Sequence, residues 1–278
     1  MSWWKILWSS TAWPENSSGS PNAWFPQAEI AHVSWWRILW SVVALIVGVV
    51  VGFLLVQKFD VLNILISPYY EVMGDGERLK FFSPTEPFFL ILKVSLLVGI
   101  ILVSPILIYQ IWSFLSPALE SHEKRVIIPA LYMGVILFGA GVAMSYYMAL
   151  PATLKFLLFF ADAYFDPVVQ AGPYLNFVTK LLLAFGILFE LPVVIMILSA
   201  LGLVTPTFLR SKRRHAIVII TLLASFLSPG DVVTVTVMMM VPLVFLYEFS
   251  ILLSAVIYRR RKAKEIGADP PEGSVKSQ

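Results

Sequence analysis

The sequence contains no cysteine and only three histidines, His32, His122 and His215, which lie far apart along the chain. The absence of cysteine excludes disulfide bonds, thiolate metal sites and cysteine nucleophiles. The scattered histidines argue against a zinc or di-iron centre. We therefore expect neither a metal nor another cofactor.

Charge is also scarce. Charged residues make up 13% of the 278 residues and hydrophobic ones 59%, against about 25% and roughly 45–50% in an ordinary soluble domain. A mean hydropathy of +0.83 leaves no room for a polar domain. The apolar runs are long and lack the strict alternation of a membrane β-barrel, so the composition predicts an all-α integral membrane protein.

Six segments are apolar and long enough, or nearly so, to cross about 30 Å of hydrocarbon as α-helices. They are Trp36–Val56, Pro87–Phe114, Val126–Leu150, Tyr174–Leu201, Ala216–Ser228 and Val232–Tyr258. The fifth has about 13 residues, or about 20 Å of helix. It is too short for an unperturbed bilayer, so it predicts a thinned membrane or a wedge-shaped end of the bundle.

The basic residues are distributed unevenly between the two sides. If both termini lie inside, 14 of the 20 lysines and arginines lie inside too. These are Lys5, Arg37, Lys124, Arg125, Arg210, Lys212, Arg213, Arg214, Arg259, Arg260, Arg261, Lys262, Lys264 and Lys276. Because positive residues accumulate in cytoplasmic loops, we expect a multi-pass protein of the cytoplasmic (inner) membrane with both termini in the cytoplasm.

A tryptophan-rich segment occurs twice near the amino terminus: Ser2–Ser9 returns, with one Lys-to-Arg change, at Ser34–Ser41. The repeat is either an aromatic anchor at the membrane interface or a docking site for a partner helix. We divide the chain into a cytoplasmic or interfacial extension (1–33), a transmembrane domain (34–258) and a basic, then disordered, cytoplasmic tail (259–278).

Four ionisable residues fall inside predicted spans: Lys93, Lys180, Glu190 and Glu248. Ionisable groups are costly there and are candidates for function. The two lysines can extend their side chains toward an interface. Glu248 lies near the basic end of its helix and is expected to be a packed, protonated or hydrogen-bonded carboxyl. Glu190 lies mid-helix, so it must be protonated, paired or facing a hydrated cavity. Pro192 is expected to kink the helix beside it.

The loop after the second span contains two carboxylates, Glu120 and Glu123, among aromatic residues on a face rich in cations. Such a pair suits recognition of a guanidinium group, which makes bidentate, charge-assisted hydrogen bonds. The alternative is that they pair with Lys124 and Arg125 on a solvated surface. No set of nucleophile, base and orienting group accompanies them, so we do not expect an enzyme.

These features occur together in one known family. Tyr109–Leu119 with His122–Arg125 after it, Ala184–Pro192, Ser228–Asp231 and Tyr247-Glu248 follow one another in order. The region 81–258, about two thirds of the chain, resembles TatC, the polytopic receptor of the twin-arginine protein translocase. The resemblance implies a glove-shaped bundle of six transmembrane helices whose last two helices are short.

The resemblance also implies a function: binding of twin-arginine signal peptides and recruitment of partner subunits to export folded proteins, energised by the proton gradient. The family's signal-binding Glu corresponds to Glu123, a Phe near that site to Phe114, and a Glu of the water-accessible membrane cavity to Glu190. Expected partners are signal peptides of cargo proteins, single-span TatA/TatB-type subunits, other copies of the chain and membrane lipids, with no nucleic acid.

The sequence departs from the family pattern in two places. Before the first helix, Trp35 stands where the family has a second arginine-binding Glu. Either Glu29 or Glu120 substitutes, or the signal site is weakened. On the last helix, Val235 stands where the family usually has a Gln that contacts the single-span partners. The contact is then expected through Ser225, Ser228 and a threonine, Thr234 or Thr236.

A different class of function remains open from the residues alone. A proton-coupled transporter of small molecules or ions would use Glu190 as its proton or cation site. Against this, the two halves of the sequence show no internal symmetry, which many secondary transporters have.

Overall fold

The computed structural model describes residues 26–74, 78–115, 127–159, 168–227 and 233–268. Ten α-helices are formed by these residues, with a π-helical turn (Ser145–Ala149) after the fourth. They are α1 (Pro26–Lys58), α2 (Val61–Met73), α3 (Glu86–Leu115), α4 (Ile127–Met144), α5 (Leu150–Phe159), α6 (Ala171–Leu188), α7 (Leu191–Ala200), α8 (Pro206–Ser211), α9 (Arg213–Leu227) and α10 (Val233–Ala268). The predicted all-α class is confirmed.

Five helical stretches within these ranges are long and apolar enough to cross a membrane. They are Leu39–Lys58, Glu86–Gln110, Pro129–Phe159, Ala171–Ala200 and Val235–Arg259. The sixth predicted span is α9, which has 15 residues, about 22 Å of helix. All six predicted spans are therefore found as helices, and the expected shortness of the fifth is confirmed.

The last helix, α10, has 36 residues and extends past its apolar stretch, Val235–Arg259. After Pro242 its sequence contains no proline, and no glycine before Gly267. Nothing in the sequence interrupts the backbone hydrogen bonds where the apolar part ends, so the helix continues through the arginine cluster.

Residues 1–39 and 40–278 form two separate units. In the second unit α1 packs against α3 through glycines. A methyl group on Gly99 would lie 2.8 Å from the carbonyl carbon of Gly48, and one on Gly52 would strike the carbonyl oxygen of Ser95. Only glycine permits this approach, which is typical of helix pairs in membranes.

The main core surrounds α6, whose buried side chains include Tyr174, Val178 and Phe185. It packs against α3 and α4 on its sides. α7 packs along α10, where the Ser199 hydroxyl donates a 2.7 Å hydrogen bond to Ser254. This arrangement places the junction of α6 and α7 among α3, α4 and α10.

One end of the bundle is held by a set of contacts that we call the clasp: the backbone pair Lys80 and Gln170 together with the Glu86 carboxylate. The Lys80 amide donates to Val169 at 3.1 Å. Glu86 accepts hydrogen bonds from the amides of Phe82 at 3.0 Å and Gly172 at 2.8 Å. The clasp therefore joins the first turns of α3 and α6, where a carboxylate also interacts favourably with both helix dipoles.

Replacing Glu86 with alanine is expected to lower the free energy of unfolding by about 1–3 kcal/mol, because two charge-assisted hydrogen bonds to backbone amides are lost. Unfolding of the purified protein in detergent, followed by circular dichroism, measures the change. Glu71→Ala is the control, since Glu71 is an exposed carboxylate in α2 whose hydroxyl contact with Ser67 is long, at 3.5 Å. Equal stability of the two variants would show that the clasp contributes nothing.

Candidate functional site

Glu190 lies where one membrane-spanning stretch is interrupted. α6 ends at Leu188 and α7 begins at Leu191, with Phe189 and Glu190 forming a turn between them. Pro192, in the first turn of α7, has no amide hydrogen to donate to the Leu188 carbonyl, which breaks the helical hydrogen bonding. Where a kink was expected beside Pro192, the helix is interrupted, and Glu190 lies at the interruption.

The Glu190 carboxylate occupies space left by a glycine on the neighbouring helix α4. A methyl group on Gly134 would lie 3.0 Å from Oε2 of Glu190 and 3.3 Å from Cγ2 of Ile108 on α3. The side chain therefore points into the region between α3 and α4. Ile108 belongs to a cluster of buried apolar residues that also includes Val193 and Phe138.

One oxygen of Glu190, Oε1, is buried and has no hydrogen-bond partner among the described residues. A buried polar atom without a hydrogen-bond partner costs free energy, and packing of the side chain against apolar neighbours does not compensate for that cost. Within the described part of the chain, Oε1 is therefore unpaired, which favours a protonated or hydrated carboxyl. A functional role for Glu190 therefore stays a prediction.

The predicted signal-peptide residues lie at helix ends or outside the described ranges. Phe114 is in the last turn of α3 and Glu29 in the first turns of α1. Glu120 and Glu123 fall in 116–126, outside the described residues. Whether these four side chains converge therefore stays a prediction.

The predicted partner-contact residues are distributed over α9 and α10, which pack against each other. Ser225 is exposed on α9, Thr236 is half-buried on α10, and Val235 beside it is buried. Thr234 is in the first turn of α10, and Ser228 lies outside the described residues. Of this group, Ser225 and Thr236 lie on two adjoining helices.

Ser225 is close to an exposed apolar face of α9. Val218, Leu222 and Phe226 are spaced by one helical turn each and are 59%, 65% and 94% exposed. Residues four apart lie on one side of a helix, so these three side chains form a continuous row. We call Val218, Leu222 and Phe226 the α9 row.

Three residues that sequence reasoning did not select have clear contacts. Gly134 makes room for Glu190, Glu86 forms the clasp, and Asn176 accepts a hydrogen bond from Lys93. An acidic residue before an apolar run, as at Glu86, is a signal of a helix amino terminus. No local signal marks Gly134 or Asn176, because their roles depend on which helices are neighbours.

Of the states considered for Glu248, the structure shows the hydrogen-bonded carboxyl. Its carboxylate accepts a 2.6 Å hydrogen bond from Arg213 in an ion pair whose side chains are 44% and 46% exposed. Tyr247 donates a 2.8 Å hydrogen bond to the Leu209 carbonyl nearby. These contacts hold α10 to the first residue of α9 and to α8, so Glu248 is a structural hydrogen-bonding carboxyl.

The chain is similar to known proteins over most of its length. Residues 34–242 match the family model described as Sec-independent protein translocase protein (TatC). The chain is 39% identical to the TatC protein of Aquifex aeolicus over 80% of this chain and 91% of that protein. It is 32% identical to the TatCy protein of Bacillus subtilis over 86% of this chain and 93% of that protein.

A solved structure gives the same result for the fold. The crystal structure of a twin arginine translocase receptor, TatC, superposes with a TM-score of 0.71 at 38% identity, covering 82% of this chain and 99% of that one. Sequence and architecture thus agree over most of the chain. The chain belongs to the TatC family of Sec-independent protein translocase proteins.

Proposed function

We propose that this chain is the receptor subunit of a twin-arginine translocase, which binds the paired arginines of signal peptides and assembles with single-span subunits. The observation that carries the proposal is the likeness in both sequence and fold to a twin arginine translocase receptor over four fifths of the chain. In this proposal the clasp faces outward and both termini lie in the cytoplasm, as the distribution of basic residues favours.

Glu123 is the proposed partner of a signal-peptide arginine, with Phe114 nearby. A carboxylate and a guanidinium form two parallel, charge-assisted hydrogen bonds, which an ammonium group cannot reproduce in the same geometry. The second carboxylate of the site is Glu29 or Glu120. The chain thus discriminates arginine from lysine without covalent chemistry, as a receptor does.

Replacing Glu123 with glutamine is expected to weaken binding of a twin-arginine peptide by about 1–3 kcal/mol, because the guanidinium then faces a neutral amide with one acceptor oxygen instead of a carboxylate with two. Peptide titration of the protein in nanodiscs measures this, and a peptide with two lysines in place of the arginines serves as control. The parent protein should prefer the arginine peptide and the variant should lose most of that preference. Equal arginine-peptide affinity of both proteins would refute the assignment.

The same assay identifies the second carboxylate. If Glu29 shares the ligand with Glu123, the effects of Glu29→Ala and Glu123→Ala should not add, as for residues that contact one group. Strict additivity, or no effect of Glu29→Ala, would exclude Glu29 and leave Glu120 or a weaker site. The parallel pair Glu120→Ala and Glu123→Ala then decides between those two.

The α9 row is the proposed contact surface for a single-span partner helix. It is apolar, it lies within the predicted fifth span, and Ser225 beside it offers a hydroxyl to a polar side chain on the partner. Small polar residues at helix interfaces in membranes stabilise such contacts by hydrogen bonding. The transporter alternative receives no support from the likenesses described above.

A further inference from the structure

Two lysines and an asparagine lie together on the seam between α3 and α6. The Lys93 ammonium donates a hydrogen bond to Oδ1 of Asn176. Lys180 is four residues after Asn176 and therefore on the same side of α6. Both lysines are exposed and Asn176 is half-buried. We call these three residues the seam cluster.

The seam cluster is rich in hydrogen-bond donors. Asn176 accepts from Lys93 with its amide oxygen, its NH₂ group has two donors, and each ammonium has three. Within the described ranges neither lysine forms an ion pair. Two cations side by side on a membrane-spanning surface repel each other and are poorly solvated. An anion with several oxygens would satisfy both.

The seam cluster lies in the parts of α3 and α6 nearest the clasp. Lys93 is seven residues after Glu86, about 10 Å along α3, and Lys180 nine after Ala171, about 14 Å along α6. Both helices begin at the clasp, and helical side chains tilt toward the helix amino terminus. Both long stems can therefore extend toward the clasp and bring their ammonium groups near the lipid phosphates.

Exposed apolar side chains continue from the cluster toward the middle of the membrane. Leu96 is 42% exposed one turn beyond Lys93, and Ile187 is 58% exposed two turns beyond Lys180. The protein surface thus has cationic donors near the interface and apolar side chains farther in. This order is complementary to a phospholipid, which has its phosphate at the interface and its acyl chains farther in. A soluble anion would gain nothing from the apolar part.

We propose that the seam cluster of Lys93, Asn176 and Lys180 binds the phosphate of an anionic phospholipid whose acyl chain lies along Leu96 and Ile187. The two ammonium groups and the Asn176 amide donate to the phosphate oxygens. A lipid with a net negative charge is favoured over a zwitterionic one, because a choline group would place a cation beside two lysines.

The test is lipid retention measured by native mass spectrometry of the detergent-purified protein, incubated with phosphatidylglycerol or phosphatidylcholine of the same chain length. The parent should retain phosphatidylglycerol preferentially. Each lysine removed should reduce that preference about fivefold, so Lys180→Gln reduces it about fivefold and the double variant Lys93→Gln/Lys180→Gln about 25-fold. Lys180→Gln isolates binding from folding, because within the described residues the Lys180 side chain makes no hydrogen bond.

Lys155→Gln is the matched control, since Lys155 is an exposed lysine in α5 near the same end of the bundle. It should leave the preference unchanged. Inorganic phosphate in excess should not displace the lipid, and displacement would overturn the proposal in favour of a soluble anion. An unchanged preference in Lys180→Gln and the double variant would also overturn it and would favour a carboxylate of a neighbouring protein helix. None of these readouts depends on signal-peptide binding.

Discussion

Gly99→Leu is expected to separate α1 from α3 and to lower the free energy of unfolding by about 3 kcal/mol or more. A side chain at Gly99 would meet the carbonyl carbon and oxygen of Gly48 and the amide nitrogen of Val49, all at 2.8 Å. These are backbone atoms, so no side-chain rotation can relieve the clash and the helices must move apart. Denaturant titration in detergent, followed by circular dichroism, measures the loss.

Two glycine-to-alanine substitutions distinguish the effect of helix packing from the intrinsic helix preference of alanine. Gly139, in α4, is exposed and has no atom within 4 Å of where its Cβ would be. Alanine is favoured over glycine in a helix interior by about 1 kcal/mol, so Gly139→Ala should be neutral or stabilising. Gly99→Ala should instead destabilise the protein. Similar effects of the two substitutions on stability would mean that the packing of α1 against α3 does not depend on close contact of their backbones.

Glu190→Ala is expected to reduce export of a twin-arginine cargo about tenfold or more, equivalent to a loss of about 1.4 kcal/mol or more in the limiting step. The free energy of unfolding should change little, because the buried oxygen of Glu190 has no hydrogen-bond partner within the described residues that the substitution would remove. Glu190→Gln should reduce export less than Glu190→Ala does if export requires only a polar side chain at this position. Export is measured in cells, and unfolding on the purified variants.

Access of water to this position is tested with a cysteine. The parent chain has no cysteine, so Glu190→Cys gives a signal without background. It should react with a water-soluble thiol reagent in membranes, whereas Val193→Cys, at a neighbouring residue that is 1% exposed, should not. An inert Cys at position 190 together with unfolding of Glu190→Ala would make Glu190 a structural residue and contradict a hydrated cavity.

The spans were predictable because their signals are local. Runs of apolar residues located all six, and Pro192 located the interruption beside Glu190. α2 was not predicted, since its polar and apolar residues read as part of an outer loop. α1 begins at Pro26, ten residues before the predicted Trp36, because helix formation continues through polar residues that do not enter the membrane.

The candidate site was predictable only in part. Glu190 was identifiable because a carboxyl in a membrane-spanning segment is costly wherever its neighbours are. Gly134, Glu86 and Asn176 act through residues 56, 86 and 83 positions away in sequence, respectively. Their roles arise only when the helices are assembled, so no pattern within one segment indicates them.

The shortness of α9 has a consequence beyond this chain. With 15 residues, it leaves part of a normal hydrocarbon layer unmatched, and the lipids beside it must compress. The elastic energy of that compression falls when another short helix shares the same depression. The α9 side should therefore attract short-spanning neighbours before any side chains touch, more strongly in membranes of long-chain lipids than in those of short-chain lipids.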